Sequence, residues 1–218
     1  MFELTPHFET YNELLDYLEK VGVLKTKIIK EAFKKFDRKD FLPEEVKEFA
    51  YYDSPVPVGE EVGQTSSQPY VTAFLIELLQ PKEGDKILEV GFGSGWTTAI
   101  LAELVGEKGK IFAFEIDEKI FNLGKQNLER YNFLEKGRVM LILGDGSKGL
   151  KEESPFDRIL VSAFSPEIPN EFLEQLKDGG ILVIPDFEGI WQVIKEKGDL
   201  IKNYHPGYVF GPLRTTSK

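Results

Sequence analysis

Ile87-Leu88-Glu89-Val90-Gly91-Phe92-Gly93-Ser94-Gly95-Trp96 is the stretch that decides the fold. A mostly apolar strand runs into three glycines at alternate positions, and a helical pattern follows from Trp96. Glycine accepts positive φ without a steric penalty and lets a ligand come close to the backbone. Strand, glycine loop and helix in this order form the opening unit of a doubly wound α/β sheet, where ligands bind at the carboxyl ends of the strands.

Working outward, further strands are expected at 111–115, 139–143, 158–162 and 181–185, with helices over 96–105, 117–131 and 169–176. The alternation predicts a mostly parallel, Rossmann-like sheet covered on both faces. Beyond Pro185 the helical signal stops. Residues 191–195 and 200–210 read as a C-terminal antiparallel strand pair joined at Lys197-Gly198-Asp199. Upstream, Leu14, Leu15, Leu18 and Val21, then Ile28, Ile29, Ala32, Phe33 and Phe36, repeat at helical spacing. The proline-rich run Asp53-Ser54-Pro55-Val56-Pro57-Val58-Gly59 is an extended connection. A third helix starts at Pro69, with Val71, Phe74, Leu75, Leu78 and Leu79 as its apolar face, and stops at Pro81 and Gly84. The charged run 44–48 reads as a solvated helix face.

Composition narrows the function. The 218 residues carry 27 basic and 37 acidic side chains, a net charge of −10. This balance offers no phosphate-backbone footprint, so nucleic acid is not expected as a partner. The chain has no cysteine. That removes disulfides, thiolate zinc sites and cysteine nucleophiles, and no metal is expected. Met1 to Thr10 lacks a basic segment followed by a long apolar run, and no stretch is long enough to span a membrane. The expectation is a soluble, cytoplasmic, monomeric protein.

The glycine spacing is not the dinucleotide fingerprint, because the third glycine comes one residue early. Glu89 precedes the loop, and a carboxylate beside a pyrophosphate would set like charges together. S-adenosyl-L-methionine carries no phosphate but has two positive groups, an α-amino group and a sulfonium, so it suits an acidic neighbour. Glu115 ends the second strand, where a carboxylate can accept both ribose hydroxyls, and Ile116 follows it. Asp117 reads as the cap of the next helix. Asp145, in Leu143-Gly144-Asp145-Gly146-Ser147, is placed to read an adenine amino group with the Gly146 amide beside it. Asp-Gly turns are common and NAD enzymes also carry an acid at the second strand, so the set carries this reading. The candidate cofactor residues are Glu89, Gly91, Gly93, Gly95, Glu115, Ile116, Asp145 and Gly146.

Residues in this order resemble the class I methyltransferases. A closer resemblance covers nearly the whole chain. Gly63-Gln64-Thr65-Ser66-Ser67-Gln68-Pro69-Tyr70 looks like the G-Q-T-I-S-Q-P-Y segment of the protein-L-isoaspartate O-methyltransferase family. Phe41-Leu42-Pro43-Glu44 and Tyr52-Asp53-Ser54-Pro55-Val56-Pro57-Val58-Gly59 are similar to its F-V-P-E and Y-x-D-x-P-x-P-I-G segments. Gly144-Asp145-Gly146-Ser147-Lys148-Gly149, Pro155-Phe156-Asp157-Arg158-Ile159 and the ending Val209-Phe210-Gly211-Pro212-Leu213 are similar to later ones. The resemblance implies a helical N-terminal region with an acceptor-side loop over 1–80 and a Rossmann-like cofactor-binding catalytic domain over 81–218. Departures lie on the acceptor side. Ser66 replaces an apolar residue, Ser54 stands where the family usually has Arg, and two extra residues sit between Gly59 and Gly63. Phe164 is bulkier than the family's residue and is expected to narrow or reshape the acceptor cleft.

The resemblance also implies an activity. Isoaspartyl residues in damaged proteins and peptides would be methylated on their carboxylate with S-adenosyl-L-methionine, leaving S-adenosyl-L-homocysteine, as the first step of repair. Ser67 would orient the acceptor, with Thr65 beside it as a second catalytic candidate and Gln64 near the methyl donor. Ser67 also suits the cap of the helix starting at Pro69. The two histidines, His7 and His205, lie in no motif and read as surface or packing residues. A methyltransferase with another acceptor, a small molecule or tRNA, would carry the same cofactor residues.

Overall fold

A computed structural model describes residues 5–61 and 64–216; Gly63, the first residue of the 63–70 segment, lies outside them. Two helices open the chain, α1 (Tyr11–Lys20) and α2 (Lys27–Lys34). Thr10 and Glu13 form a reciprocal capping box that starts α1. α1 buries Leu14, Leu15 and Leu18, and α2 buries Ile29, Ala32 and Phe33. Ile28 and Val21 are exposed, because helical geometry turns them off the buried stripe. Two short 3-10 turns follow, Arg38–Phe41 and Glu44–Phe49.

The proline-rich connection is extended, as its prolines require. Part of it, β1 (Val56–Pro57), pairs antiparallel with β2 (Thr65–Ser66). α3 (Pro69–Leu79) has proline in its first turn and ends at Gln80 in the left-handed conformation. Its buried face is Thr72, Ala73, Leu75, Ile76 and Leu79. Val71, Phe74 and Leu78 are only partly buried and pack at the rim of the same core. The helix is therefore rotated from the face expected of it.

The remaining elements are β3 (Lys86–Val90), α4 (Trp96–Val105), β4 (Lys110–Glu115), α5 (Glu118–Glu129), β5 (Val139–Leu143), β6 (Phe156–Val161), α6 (Asn170–Gln175), β7 (Leu176–Pro185), β8 (Gly189–Glu196) and β9 (Asp199–Pro206). The sheet order is β5-β4-β3-β6-β7-β8-β9. The first five strands of that order are parallel, and β8 and β9 are antiparallel. β3 sits between β4 and β6, so the chain reverses its direction of travel across the sheet there. Such a switch point opens a crevice at the strand ends.

Successive residues of β3 face opposite layers: Ile87 joins the core under α1–α4, and Leu88 the core under α6. Two buried hydrogen bonds fasten the N-terminal layer. Tyr11 Oη donates to Phe33 O at 2.9 Å, and Trp96 Nε1 donates to Phe36 O at 2.9 Å. The Phe33 ring meets Trp96 edge-on at 5.6 Å.

β8 and β9 are joined by Lys197 and Gly198, both at positive φ, the signature of a two-residue type I′ hairpin. The last strand stops short of the expected 210. Pro206 has no N–H for the ladder, and Gly207 at φ 95° turns the chain out of the sheet. Residues 207–213 then run back over the strand ends, bonded to Phe164 at both its N–H (Gly211 O, 2.8 Å) and its C=O (Leu213 N, 2.8 Å).

Phe33 is fully buried at the seam between the N-terminal helices and α4. Phe33→Ala is expected to cost about 3–5 kcal/mol of unfolding free energy, measured by equilibrium denaturation.

Candidate active site

A cavity of about 460 Å³ lies over the carboxyl ends of β3 and β4. Its floor is Val90, Gly91, Phe92 and Gly93. One wall is the 64–68 segment, a second is Glu115 and Ile116, and a third is the C-terminal run 207–214.

The glycine loop is held by β4. Gly91 N and Phe92 N both donate to Phe114 O, at 2.8 and 3.1 Å. The Glu115 carboxylate accepts from Gly93 N at 3.2 Å, Ile116 N at 2.8 Å and Asp117 N at 3.0 Å. Its orientation is therefore set before any ligand arrives. Burial raises the Glu115 pKa, and these backbone bonds oppose the rise. Asp117 caps α5 through Lys119 N and Ile120 N, and also accepts from Gln64 Nε2 at 2.9 Å. Gln64 is thus tied to the cofactor half of the cavity.

Two glycines are needed for close approach. A Cβ on Gly146 would lie 2.8 Å from Phe114 Cβ and 2.9 Å from Val90 Cγ1. One on Gly95 would lie 3.0 Å from Leu128 Cγ and 3.2 Å from Gly124 O, so Gly95 serves the packing of α4 against α5. It starts α4 at φ 88° and faces away from the cavity wall that Gly91, Gly93 and Gly146 line.

Two expected cofactor acids lie elsewhere than on the wall. Glu89 is fully buried beneath the loop, because β3 is a central strand covered on both faces and Glu89 shares the face of Ile87. Neither carboxyl oxygen has a hydrogen-bond partner among the described residues. Burial pushes its pKa up to about 7, with the nearby Glu115 charge adding to the rise. Asp145 accepts from Ser147 N at 2.9 Å, and from Thr216 N and Oγ1 at 2.8 and 3.1 Å. Its neighbours Gly144 and Gly146 face the cavity while its own carboxylate is engaged by the C-terminal segment.

On the acceptor side, Asp53 answers the question of the α3 cap. Its carboxylate accepts from Tyr70 N at 2.9 Å and Gln68 Nε2 at 3.1 Å. Gln68 is the N-cap residue, and no side chain of its own caps the helix. Ser67 stands before the cap and lines the cavity with Thr65. Ser66 is buried, and its hydroxyl accepts from Arg38 Nε at 3.3 Å. This explains a polar residue where an apolar one was expected: it faces a buried guanidinium. Phe164 does not narrow the cleft. Its ring packs on Phe187 at 4.7 Å, and the wall there is Ser162 and Ala163. His7 stacks on Tyr52, and His205 meets Phe74 edge-on.

Sequence reasoning passed over Arg38 and the 207–214 run. Arg38 is a lone charge between Phe36 and Phe41, and its full burial is set by contacts remote in sequence. The C-terminal run read as a continuing strand; Pro206-Gly207 was the available signal against that.

Among the described residues Arg214 is the one basic side chain on the cavity wall, and it is paired with Glu61 at 3.1 Å and Asp117 at 3.7 Å. No other described residue of the wall would hold a phosphate by charge, while Glu115 on the wall and Glu89 below it favour a cation. Those residues fit S-adenosyl-L-methionine. A cavity that favours such a cation, at the switch point of a doubly wound sheet, is the arrangement of a class I methyltransferase. The family model described as protein-L-isoaspartate(D-aspartate) O-methyltransferase matches residues 9–215. A protein-L-isoaspartate O-methyltransferase of Methanopyrus kandleri is 40% identical over 205 residues, 92% of this chain and 89% of its own. The Fervidobacterium nodosum enzyme of that name is 42% identical, over 86% of this chain and 92% of its own. A solved protein-L-isoaspartate O-methyltransferase superposes with a TM-score of 0.81 at 30% identity, covering 93% of this chain and 65% of that longer one. A Plasmodium falciparum structure, described as a putative member in complex with S-adenosyl-L-homocysteine, shares the fold at a TM-score of 0.84 and 24% identity. The chain belongs to the protein-L-isoaspartate(D-aspartate) O-methyltransferase family.

The buried acid under the loop has a measurable consequence. The Glu89 carboxyl ionises near 4.5 in an unfolded chain but near 7 in the ligand-free fold. Between those values the folded state holds the extra proton, so stability falls as pH rises and the loss is complete above the upper value. The decline is worth about 3 kcal/mol. Glu89→Gln, neutral at every pH, is expected to remove it, as read from urea denaturation on either side of that window.

Proposed function

We propose that this cavity carries out the family's reaction with Ser67 as the residue that orients the acceptor. The enzyme methylates the carboxylate of L-isoaspartyl residues in damaged proteins, a protein-repair activity. The observation that carries the assignment is the placement of Ser67. It lines the cavity next to the cofactor half, and Asp53 relieves it of capping α3.

When bound, S-adenosyl-L-methionine supplies a methyl group on a positively charged sulfonium and leaves as S-adenosyl-L-homocysteine. The chain's own residues have little chemistry to perform. An acceptor carboxylate has a pKa near ~4 and is already ionised, so no general base is needed. Among the described residues the wall carries no histidine, and both histidines of the chain are engaged elsewhere, His7 on Tyr52 and His205 on Phe74. The Ser67 hydroxyl donates to the acceptor carboxylate and fixes its approach, with Thr65 beside it. Alignment and exclusion of water are what the protein contributes. On the cofactor side Glu115 would hold the ribose hydroxyls, Ile116, Gly91, Gly93 and Gly146 would line the nucleoside, and Gln64 would close the wall. Asp145 would read the adenine amino group in exchange for its Thr216 contacts, and Glu89 would act from below the loop as a buried counter-charge. Gly95 shapes the loop from behind.

In this reading residues 1–80 supply the acceptor side and 81–218 the cofactor side. Among the described residues no helix is long and apolar enough to cross a membrane. The net charge of −10 opposes nucleic acid as a partner. A monomer working in the cytoplasm is the simplest setting for this activity.

The test is methyl transfer from labelled S-adenosyl-L-methionine to paired peptides, one with isoaspartate and one with aspartate. Labelling confined to the isoaspartyl peptide supports the reading; cofactor binding without labelling moves the acceptor to another molecule. Ser67→Ala is expected to lower kcat roughly ten- to hundredfold, the worth of a hydrogen bond to a charged group. Affinity for S-adenosyl-L-homocysteine should stay within about twofold, so parallel loss of both would sink the Ser67 role.

A further inference from the structure

We infer that Arg38 is a positioning residue for methyl transfer, its buried guanidinium locking the backbone at 66–67 so that the Ser67 side chain is held toward the cavity. The inference rests on the acceptor role proposed for Ser67.

The ribbon that carries Ser67 is too short to hold itself. β1 and β2 form a sheet of only two strands with two residues each, short of the three or more strands that give independent stability. Arg38 supplies what the ribbon lacks. The two hydrogens of its Nη2 are shared among three carbonyls, Ser54 O at 2.9 Å, Ser66 O at 3.0 Å and Ser67 O at 2.9 Å. Nη1 donates to Ala50 O and Tyr52 O, each at 3.1 Å, and Nε to Ser66 Oγ at 3.3 Å. One side chain thereby ties the 50–54 connection to the 66–67 segment. All six acceptors are uncharged oxygens, and the side chain is fully buried. A buried cation without a paired carboxylate is a poor way to gain stability alone. A planar fork of five donors is, however, well suited to fixing several carbonyls at once.

The guanidinium also reaches the cofactor half. It lies over the Trp96 ring at 5.7 Å, and Trp96 follows the last glycine of the loop and lines the cavity. Arg38 thus sets the acceptor segment relative to the loop that floors the cavity. Ser66 adapts this chain to the arrangement, because its hydroxyl accepts the hydrogen bond from Nε–H. Burial lowers the guanidinium pKa to about 9, with Asp53 opposing, so the group is charged at neutral pH.

Lysine keeps the charge but offers a single nitrogen, which cannot span carbonyls on both segments. In the full-length protein, Arg38→Lys is expected to lower kcat on isoaspartyl peptide on the order of tenfold or more, the scale of a displaced reacting group. Affinity for S-adenosyl-L-homocysteine, measured by calorimetry, should change by no more than about twofold. If Arg38 acts through Ser67, adding Arg38→Lys to Ser67→Ala costs little further kcat. Multiplied losses in the double variant, unchanged kcat in Arg38→Lys, or equal loss of cofactor binding would each overturn the inference. Wild-type kcat in Ser67→Ala would instead defeat the acceptor role itself. Should Arg38→Lys not fold, Arg38→Gln decides, since it buries no charge but keeps too few donors to bridge the two segments. A fall in kcat of about tenfold or more with unchanged cofactor affinity supports the inference, and wild-type kcat overturns it.

Discussion

The structure depends on how β4 holds the glycine loop. Three loop amides are fixed by the end of that strand, two by Phe114 O and one by the Glu115 carboxylate. This junction sets the cavity floor and aims the start of α4. Trp96, the first residue of α4, then reaches Phe36 through its indole N–H and Phe33 through its ring. The N-terminal helices are therefore referenced to the cofactor loop through one side chain, and Arg38 carries the reference on to the acceptor segment.

The cavity is organised by charge as well as shape. Its acids lie at the strand ends, and its one wall cation is neutralised by Glu61 and Asp117. A cationic cofactor meets favourable potential there, while a pyrophosphate would meet carboxylates. The acceptor side follows a different logic. Asp53 spends its carboxylate on the α3 terminus, and Arg38 spends its donors on carbonyls. Both are used as scaffolding, which leaves the hydroxyls of Thr65 and Ser67 as the polar side-chain groups presented there.

The C-terminal run gives the third wall and touches both halves. Tyr208 stacks on Phe74 of α3 at 5.0 Å, Arg214 reaches Asp117 at the head of α5, and Thr216 holds Asp145. The sheet thus ends in a segment whose contacts lie beyond its own edge. Pro206 and Gly207 make this possible by stopping the ladder and turning the chain.

Much of the fold was legible in the sequence because local rules dictate it. Apolar strands alternating with helical repeats specify the parallel sheet, Gly198 specifies the hairpin, Pro69 starts α3 and Asp117 caps α5. The glycine loop and Glu115 were legible for the same reason: both are set by where a strand must end. What the sequence could not decide were facts of approach between distant segments. Whether Ser67 caps a helix depended on Asp53 arriving first. Whether Phe164 enters the cleft depended on Phe187 taking its ring. That Glu89 lies under the loop, and that Asp145 is engaged by Thr216, followed from the covering of both faces of β3 and from the path of the last residues. Arg38 shows the division most plainly. Its charge was visible, but its burial among six oxygens arises only when residues 50–54 and 66–67 close around it. Desolvation and hydrogen-bond geometry act between neighbours in space, and local sequence has no term for them.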